Sequence, residues 1–377
     1  MTIKLAADSP IFKIFGELDD PRSSRNQLYP LIDILAVALI GILCAGNDWV
    51  SIERWTKYNE AWFRSVGLCL NGVPSHDTLG RFFRLVDPKA FELCFRTWTQ
   101  AIAEKIQGVI AIDGKTIRNS GDSFMELKPL HIVSAFAAEN DIILGQLRTE
   151  AKSNEITAIP ELLDTFGLKG CTVTIDAMGC QKGIAAKIVE KGGDYVLGLK
   201  GNHEFLRDEA DNFFGQALEV SPEESGCTYS SSVEKNHGRI ETREVWATDA
   251  LEWLPMLKDW PSLRSLVCVK STRKVKSIAT TELRFYISSL PAQAERLGQV
   301  IRLHWAVENK LHWHLDVTFN EDKSKIRSQN GPENFSLLKR CVLNLIKADT
   351  TKKDSVNQKR KEAAYCEEYR LHLLGVK

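Results

Sequence analysis

The chain has 377 residues, 44% of them apolar and 26% charged, with 49 basic side chains against 49 acidic ones. That length and balance exclude a chain disordered throughout and predict two or three globular domains with a full-sized core. Zero net charge excludes a uniformly basic coat, yet residues 1–108 hold 12 Lys+Arg against 12 Asp+Glu, residues 109–322 hold 24 against 31, and residues 323–377 hold 13 against 6, an acidic middle suited to metal and a basic end suited to phosphate.

In chain order, Pro30 suits the first turn of a helix running to about Cys44, and Gly46 suits its end. Asn47 or Asp48 caps a second helix through SIERWTKYNEAWFRSV, with Ile52, Trp55, Trp62 and Phe63 as its buried stripe. Ser75 caps a short helix over 76–86, whose Arg81 and Arg84 are candidates to enter a DNA groove in helix-turn-helix fashion. Asp87-Pro88 opens a longer helix to about Ile106. Residues 1–108 are therefore expected to form an all-helical N-terminal domain.

From Val109 the rhythm changes to β, with strands expected at 109–118, 130–137 and 142–148, a helix near 155–166, a strand at 171–176, a helix near 180–191 and a strand at 195–200. A three-strand meander followed by helix, strand, helix, strand is the order of the ribonuclease H-like α/β fold, in which the first and fourth strands lie side by side. Residues 225–290 read as a β-rich insertion, which divides the catalytic core into 109–224 and 291–348. Residues 349–377 are expected to be a basic C-terminal tail, with 351–362 polar enough for a mobile linker or an exposed helix.

Nine cysteines without a CxxC pair argue against a disulfide framework or a zinc ribbon and predict a reducing, cytoplasmic setting. The most apolar stretch, 34–46, has 13 residues. A membrane span needs roughly 18 to 20, so a buried helix is expected, with no membrane partner. No secretion signal is expected at the start of the chain.

Three acidic residues stand in distinctive settings: Asp113 ends the β-branched run VIAID, Asp176 ends TVTID, and Glu308 lies in RLHWAVENKLHWHLD. A carboxylate at the tip of a buried strand is costly unless something positive meets it. Three converging would form an oxygen cage for a hard divalent cation, the chemistry that cuts and rejoins phosphodiester bonds. Gly114 leaves room for a ligand backbone, and Lys115 is placed to meet a phosphate. Ala177 and Gly179 leave room beside Asp176. For either aspartate alone, turn chemistry at a strand end is the competing reading.

Other polar residues carry alternatives. His304, Glu308 and His312 recur every four residues, so zinc is weighed; about 12 Å of helix between the two histidines, at about 1.5 Å per residue, disfavours one shared ion. Packing with Trp305 and Trp313 is the bland reading, stronger for His312 than for His304. Lys200, Asn202 and His203 follow the fifth strand, where they are either DNA contacts or a polar turn. His237, Arg239 and Arg243 fit a phosphate-contacting ribbon or an ordinary exposed strand. Asp322 is an extra metal ligand, a lysine partner, or a solvated pair with Glu321. Glu155 opens a helix that Asn154 caps, which suffices to explain it.

With DPRSSRNQLYPLIDILAVALIG, AIDGKTIR, KSNEITAIPELLD, VTIDAMGCQ, VLGLKGN, HGRIETR and HWAVENKLHWHLDVTFNED in this order, the chain resembles the DDE transposases of bacterial insertion sequences over nearly its whole length, in the branch that includes the H-repeat-associated proteins. The resemblance implies Asp113, Asp176 and Glu308 as the catalytic, metal-binding triad for two Mg²⁺ (or Mn²⁺) ions. It also implies hydrolysis and strand transfer at insertion-sequence ends, and a homodimer assembled on DNA, nucleoid-associated when bound to it. One departure is visible: where related transposases carry Y-x₂-R-x₃-E-x₆-K, this chain has Ile301, His304 and Leu315 in place of Tyr, Arg and Lys. Arg302, His304, Asn309, Lys310 and His312 are the neighbours left to make those contacts. The rival readings are a catalytically silent DNA-binding relic and a two-carboxylate hydrolase such as a glycosidase, whose activity would survive EDTA.

Overall fold

The computed structural model describes residues 3–376 apart from 24, 26, 45, 103–105, 123, 125, 150–154, 237, 255 and 277. In chain order the helical beginning comprises α1 (Leu5–Asp8), α2 (Pro10–Phe15), α3 (Leu31–Leu43), α4 (Trp49–Tyr58), α5 (Glu60–Ser65), α6 (His76–Leu85) and α7 (Pro88–Ile102). Pro30 precedes α3 as its cap, and the helix is buried from Asp33 to Leu43, as its unbroken apolar run requires. Asp48 caps α4 by accepting the Ser51 N–H at 2.7 Å. The stretch expected as one helix through 51–66 breaks at Asn59, whose side-chain amide donates to the Trp55 carbonyl. Asn and Asp compete with the helix backbone in this way.

Among the described residues nine strands form one sheet: β1 (Gly108–Ile117), β2 (Leu130–Ala137), β3 (Ile142–Thr149), β4 (Cys171–Ile175), β5 (Asp194–Leu199), β6 (Thr228–Asn236), β7 (Arg239–Thr248), β8 (Ser265–Val275) and β9 (Ile278–Ser288), in the order β3-β2-β1-β4-β5-β9-β8-β7-β6. β1 pairs antiparallel with β2 and parallel with β4, which brings Ile112 opposite Ile175. The β-rich block at 225–290 is thus no separate body, because β9 pairs antiparallel with β5 and extends the same sheet.

Alternation along β1 sends successive side chains to two cores, as the strand period demands. Val109 and Ala111 join the core built by the N-terminal helices, while Ile110 and Ile112 join the core covered by α8 (Glu155–Asp164), α9 (Lys182–Glu190) and α10 (Glu204–Ala217). After β9 the chain returns to the first face as α11 (Ala294–His304), two π-helical turns over Val307–His312 and His314–Thr318, and then α12 (Gly331–Ala348), α13 (Val356–Tyr365) and α14 (Glu367–Leu373).

This arrangement corrects two expectations. Residues 1–108 are helical but share one core with α11 and α12, so they have no core of their own. Residues 349–377 are not a tail: α13 and α14 pack on the N-terminal helices, with Arg360 and Arg370 each only 1% exposed. Arg360 donates to the carbonyls of Ile42 and Thr318, and Arg370 to those of Ala363 and Ala364 while lying over the rings of Trp55 and Trp62. Their charge closes helix ends instead of meeting phosphate. Among the described residues no helix is long and apolar enough to cross a membrane.

Candidate active site

Asp113 stands on β1 opposite Ser134 of β2, and its carboxylate accepts the Gly114 N–H at 2.9 Å. Asp176 follows the last residue of β4 and caps the short turn Ala177–Gly179 by accepting the Met178 N–H at 3.1 Å. The parallel pairing of β1 with β4 makes the two aspartates neighbours at one sheet edge of the same cavity. That cavity, about 410 Å³, is lined by Asp113, Asp176 and Glu308, with His304, Lys200 and Arg284 around them. Glu308 enters from the first π-helical turn.

The electrostatics follow from this crowding. Burial pushes the Asp113 carboxyl up to about 7, and the negative charges of Asp176, Glu155 and Glu308 add to the effect. Burial also raises Glu308, opposed by the guanidinium of Arg284. Like charges sharing a low-dielectric site disfavour simultaneous ionisation. Two imidazoles flank the aspartates. His304 Nδ1 lies 3.0 Å from Thr174 Oγ1, and His312 Nδ1 lies 3.5 Å from Asp113 Oδ2. Burial pushes His304 down to about 4 and His312 down to about 3, so both rings are neutral near pH 7.

His312 therefore faces Asp113 rather than Trp313, whose ring packs against His314. Because the segment winds as a π-helix, with the Trp313 N–H bonded to the Glu308 carbonyl, side chains four apart no longer stack in one row. His304 and His312 take different partners, and among the described residues no three His, Cys, Asp or Glu side chains are gathered closely enough to hold a metal ion. The three acids line one cavity without forming a closed chelating cluster.

Several expected phosphate contacts have other partners. Lys115 is a correction: it is buried and ion-paired with Asp316 at 2.7 Å and Asp322 at 3.0 Å, with Glu321 at 3.8 Å. Burying that ammonium requires those carboxylates, so it does not reach out to a phosphate. Asp322 is accordingly a lysine partner, and it also pairs with Arg118. Asn202 donates to the Ala177 carbonyl and His203 to that of Cys180, so the turn after β5 clamps the loop that follows Asp176. Arg302 and Arg243 share Glu234, Arg239 faces Glu241, and Lys310 lies 4.0 Å from Asp141. Lys200 is exposed at the cavity rim, and His237 lies outside the described residues.

Two residues were not legible as part of this site. Arg284, on β9, forms a two-pronged pair with Glu282 and lies 4.6 Å from the Trp305 ring centroid, facing Glu308 across the cavity. Only its place beside the stretch of β9 that pairs with β5 could have pointed to it. Glu155 corrects the reading of a capped helix start: it is 3% exposed, and its carboxylate meets His131 Nε2 at 2.7 Å, while His131 Nδ1 meets Thr116 Oγ1 at 2.7 Å. Asn154 lies outside the described residues.

Residues 104–345 match the family described as Transposase DDE domain, and residues 12–99 match its companion, described as DDE_Tnp_1-associated. The chain belongs to the DDE transposase family. It is 40% identical to "Putative transposase YncI" of Escherichia coli O157:H7 over 92% of this chain and 90% of that one. It is 36% identical to "H repeat-associated putative transposase YhhI" of Escherichia coli K12 over 95% and 96% of the two chains. A piggyBac transposase chain from a synaptic complex with hairpin DNA superposes weakly, with a TM-score of 0.44 and 11% identity over 99% of this chain and 79% of that one. Within the DDE family match fall Asp113, Asp176 and Glu308, as well as Arg284 and the Glu155–His131 pair.

Proposed function

We propose that this DDE-family chain is a metal-dependent DNA transposase that hydrolyses phosphodiester bonds at insertion-sequence ends and joins the freed ends to target DNA. The observation that carries the reading is the convergence of Asp113, Asp176 and Glu308, distant in sequence, on the wall of one cavity. The strand order β3-β2-β1-β4-β5, with β1 antiparallel to β2 and parallel to β4, supports a ribonuclease H-like core.

The donor chemistry suits a hard divalent cation: three carboxylates line one cavity, where they must draw closer than they stand here to hold the ion, beside imidazoles kept neutral by burial and turned to Thr174 and Asp113. Asp113, Asp176 and Glu308 would hold Mg²⁺ or Mn²⁺, two ions per site, and the bound cation would supply an activated oxygen nucleophile and stabilise the leaving oxygen. Around it the chain's own residues do the positioning. The Asn202 and His203 bonds fix the loop carrying Asp176, Arg284 balances the charge of Glu308, and the His131–Glu155 pair backs Gly114 beside Asp113. A homodimer on DNA, acting in the cytoplasm, completes the proposal.

Asp113→Asn is the direct test. DNA binding should persist while Mg²⁺-dependent nicking of supercoiled DNA is abolished; undiminished nicking would end the assignment. Because both the relic and the glycosidase readings lack EDTA-sensitive nicking, the wild-type assay with and without EDTA separates them from this one.

A further inference from the structure

A second concavity lies away from the carboxylates. It is a trough of about 850 Å³ between α6, the start of α4, and the segment 320–331 that leads into α12. Arg81 and Arg84 line it from α6, and Lys323 and Lys325 line it from the opposite wall. None of these four has an ion-pair partner among the described residues, in contrast to Lys115, Arg118, Arg243, Arg302 and Arg340, which are all matched to carboxylates.

The contrast is informative because five of the thirteen cations beyond residue 322 are buried. Arg340, Arg360 and Arg370 are buried, and so are Lys339 and Lys359. What remains outward includes Lys323 and Lys325, both exposed at the trough. Arg84 Nε is buried in the wall and has no hydrogen-bond partner among the described residues. The N-terminus of the 18-residue α12 opens at Gly331 in the same wall without a side-chain cap, which adds a positive helix end. Among the described residues two acids line the trough: Asp48 is engaged as the cap of α4, and the neighbouring His76 is turned to Glu53. Asp77 is the exception, reaching only His76 at 3.6 Å.

We propose that this trough holds the sugar–phosphate backbone of a DNA duplex, gripped from one side by α6 and from the other by Lys323 and Lys325. Cations set on two walls of an open concavity suit a chain of phosphates better than one compact anion. The segment also links the grip to the catalytic strand, since Asp322, next to Lys323, pairs with Lys115, two residues beyond Asp113 on β1. The inference rests on the transposase reading for its choice of partner.

The test compares Lys323→Glu/Lys325→Glu with Lys169→Glu/Arg296→Glu, a pair of exposed residues elsewhere that changes net charge equally. Affinity for a short mixed-sequence duplex is read by fluorescence anisotropy across a salt series, with single-stranded DNA as a second probe. The trough double should lose at least tenfold in duplex affinity and flatten the salt slope by about two, at roughly 0.9 per lost phosphate contact, while the control double stays near wild type. Arg81→Glu should weaken binding in the same direction. Equal behaviour of the two doubles, an effect confined to single strands, or a wild-type protein without duplex affinity would each overturn the proposal. Metal-dependent nicking is scored separately: its absence with trough-dependent binding retained sinks the catalytic reading alone, and its presence with trough-independent binding sinks only this one.

Discussion

His312 Nδ1 and Asp113 Oδ2 lie 3.5 Å apart, a neutral ring set against a carboxyl that burial and three neighbouring acids hold at about 7. The site is therefore electrostatically loaded near physiological pH. Its folded form binds a proton at Asp113 more tightly than the unfolded chain, whose aspartates titrate near 3.8.

A sign follows for stability. The contribution of protonated Asp113 is fully present below the unfolded value and is lost as pH rises through about 7, where ionisation costs up to about 4 kcal/mol at about 1.4 kcal/mol per unit. Asp113→Asn should melt a few degrees above wild type at pH 8, and the gap should close towards pH 4. Millimolar Mg²⁺ should raise the wild-type melting temperature at pH 8 and leave the variant unmoved. Matching melting curves for the two proteins under all three conditions would contradict this account.

Gly114 is needed for space rather than for conformation. A Cβ there would collide with Glu155 Oε1 and lie 2.5 Å from His131 Nε2, both held in a buried pair. Gly114→Ala should destabilise by about 1–3 kcal/mol in urea unfolding. Glu155→Ala alone should cost a similar amount, about 1–3 kcal/mol, by leaving His131 Nε2 unpartnered. The double variant should be less damaged than the two losses added together, because the second change vacates the space the first one invades. Strict additivity would mean that the two sites do not touch.

Arg360 separates an internal role for the C-terminal helices from a DNA-binding one. Its guanidinium serves the carbonyls of Ile42, Gly46 and Thr318 and the side chain of Asn47. Arg360→Ala should lower stability by about 3 kcal/mol or more, through several orphaned carbonyls at about 1–3 kcal/mol each. The exposed change Lys353→Ala should stay within about 0.5 kcal/mol. A variant at 360 that melts like wild type but binds duplex DNA poorly would restore the idea of a basic arm.

Legibility in the sequence tracked how local the determining forces are. β2 was bounded at Leu130 and Ala137, and the ends of β1, β4 and β5 lay within about a residue or two, because alternation and Gly or Asp punctuation are local signals. Asp48 and Ser75 were readable as caps for the same reason. The fates of Lys115, Arg302 and Arg360 were not, since their partners lie far along the chain, and an isolated Lys or Arg in a sequence carries no mark of whether it meets protein or phosphate. Glu155 was missed because a helix-start acid and a buried acid bound to a distant histidine use the same letter. At Glu308 the surroundings were legible but the winding was not; nothing in the residues from Val307 to Thr318 distinguishes a π-helical turn from an α-helical one.

The hydroxyl of Ser9 donates to the carbonyl of Leu374, across 365 positions, and Gly375 sits against Pro10. The first helices thus bury their apolar faces on segments synthesised 365 positions later. During synthesis those faces stay uncovered, so a message cut short upstream of α13 yields a polypeptide with an unfinished interior, a substrate for proteolysis rather than a rival for the full-length protein's binding sites.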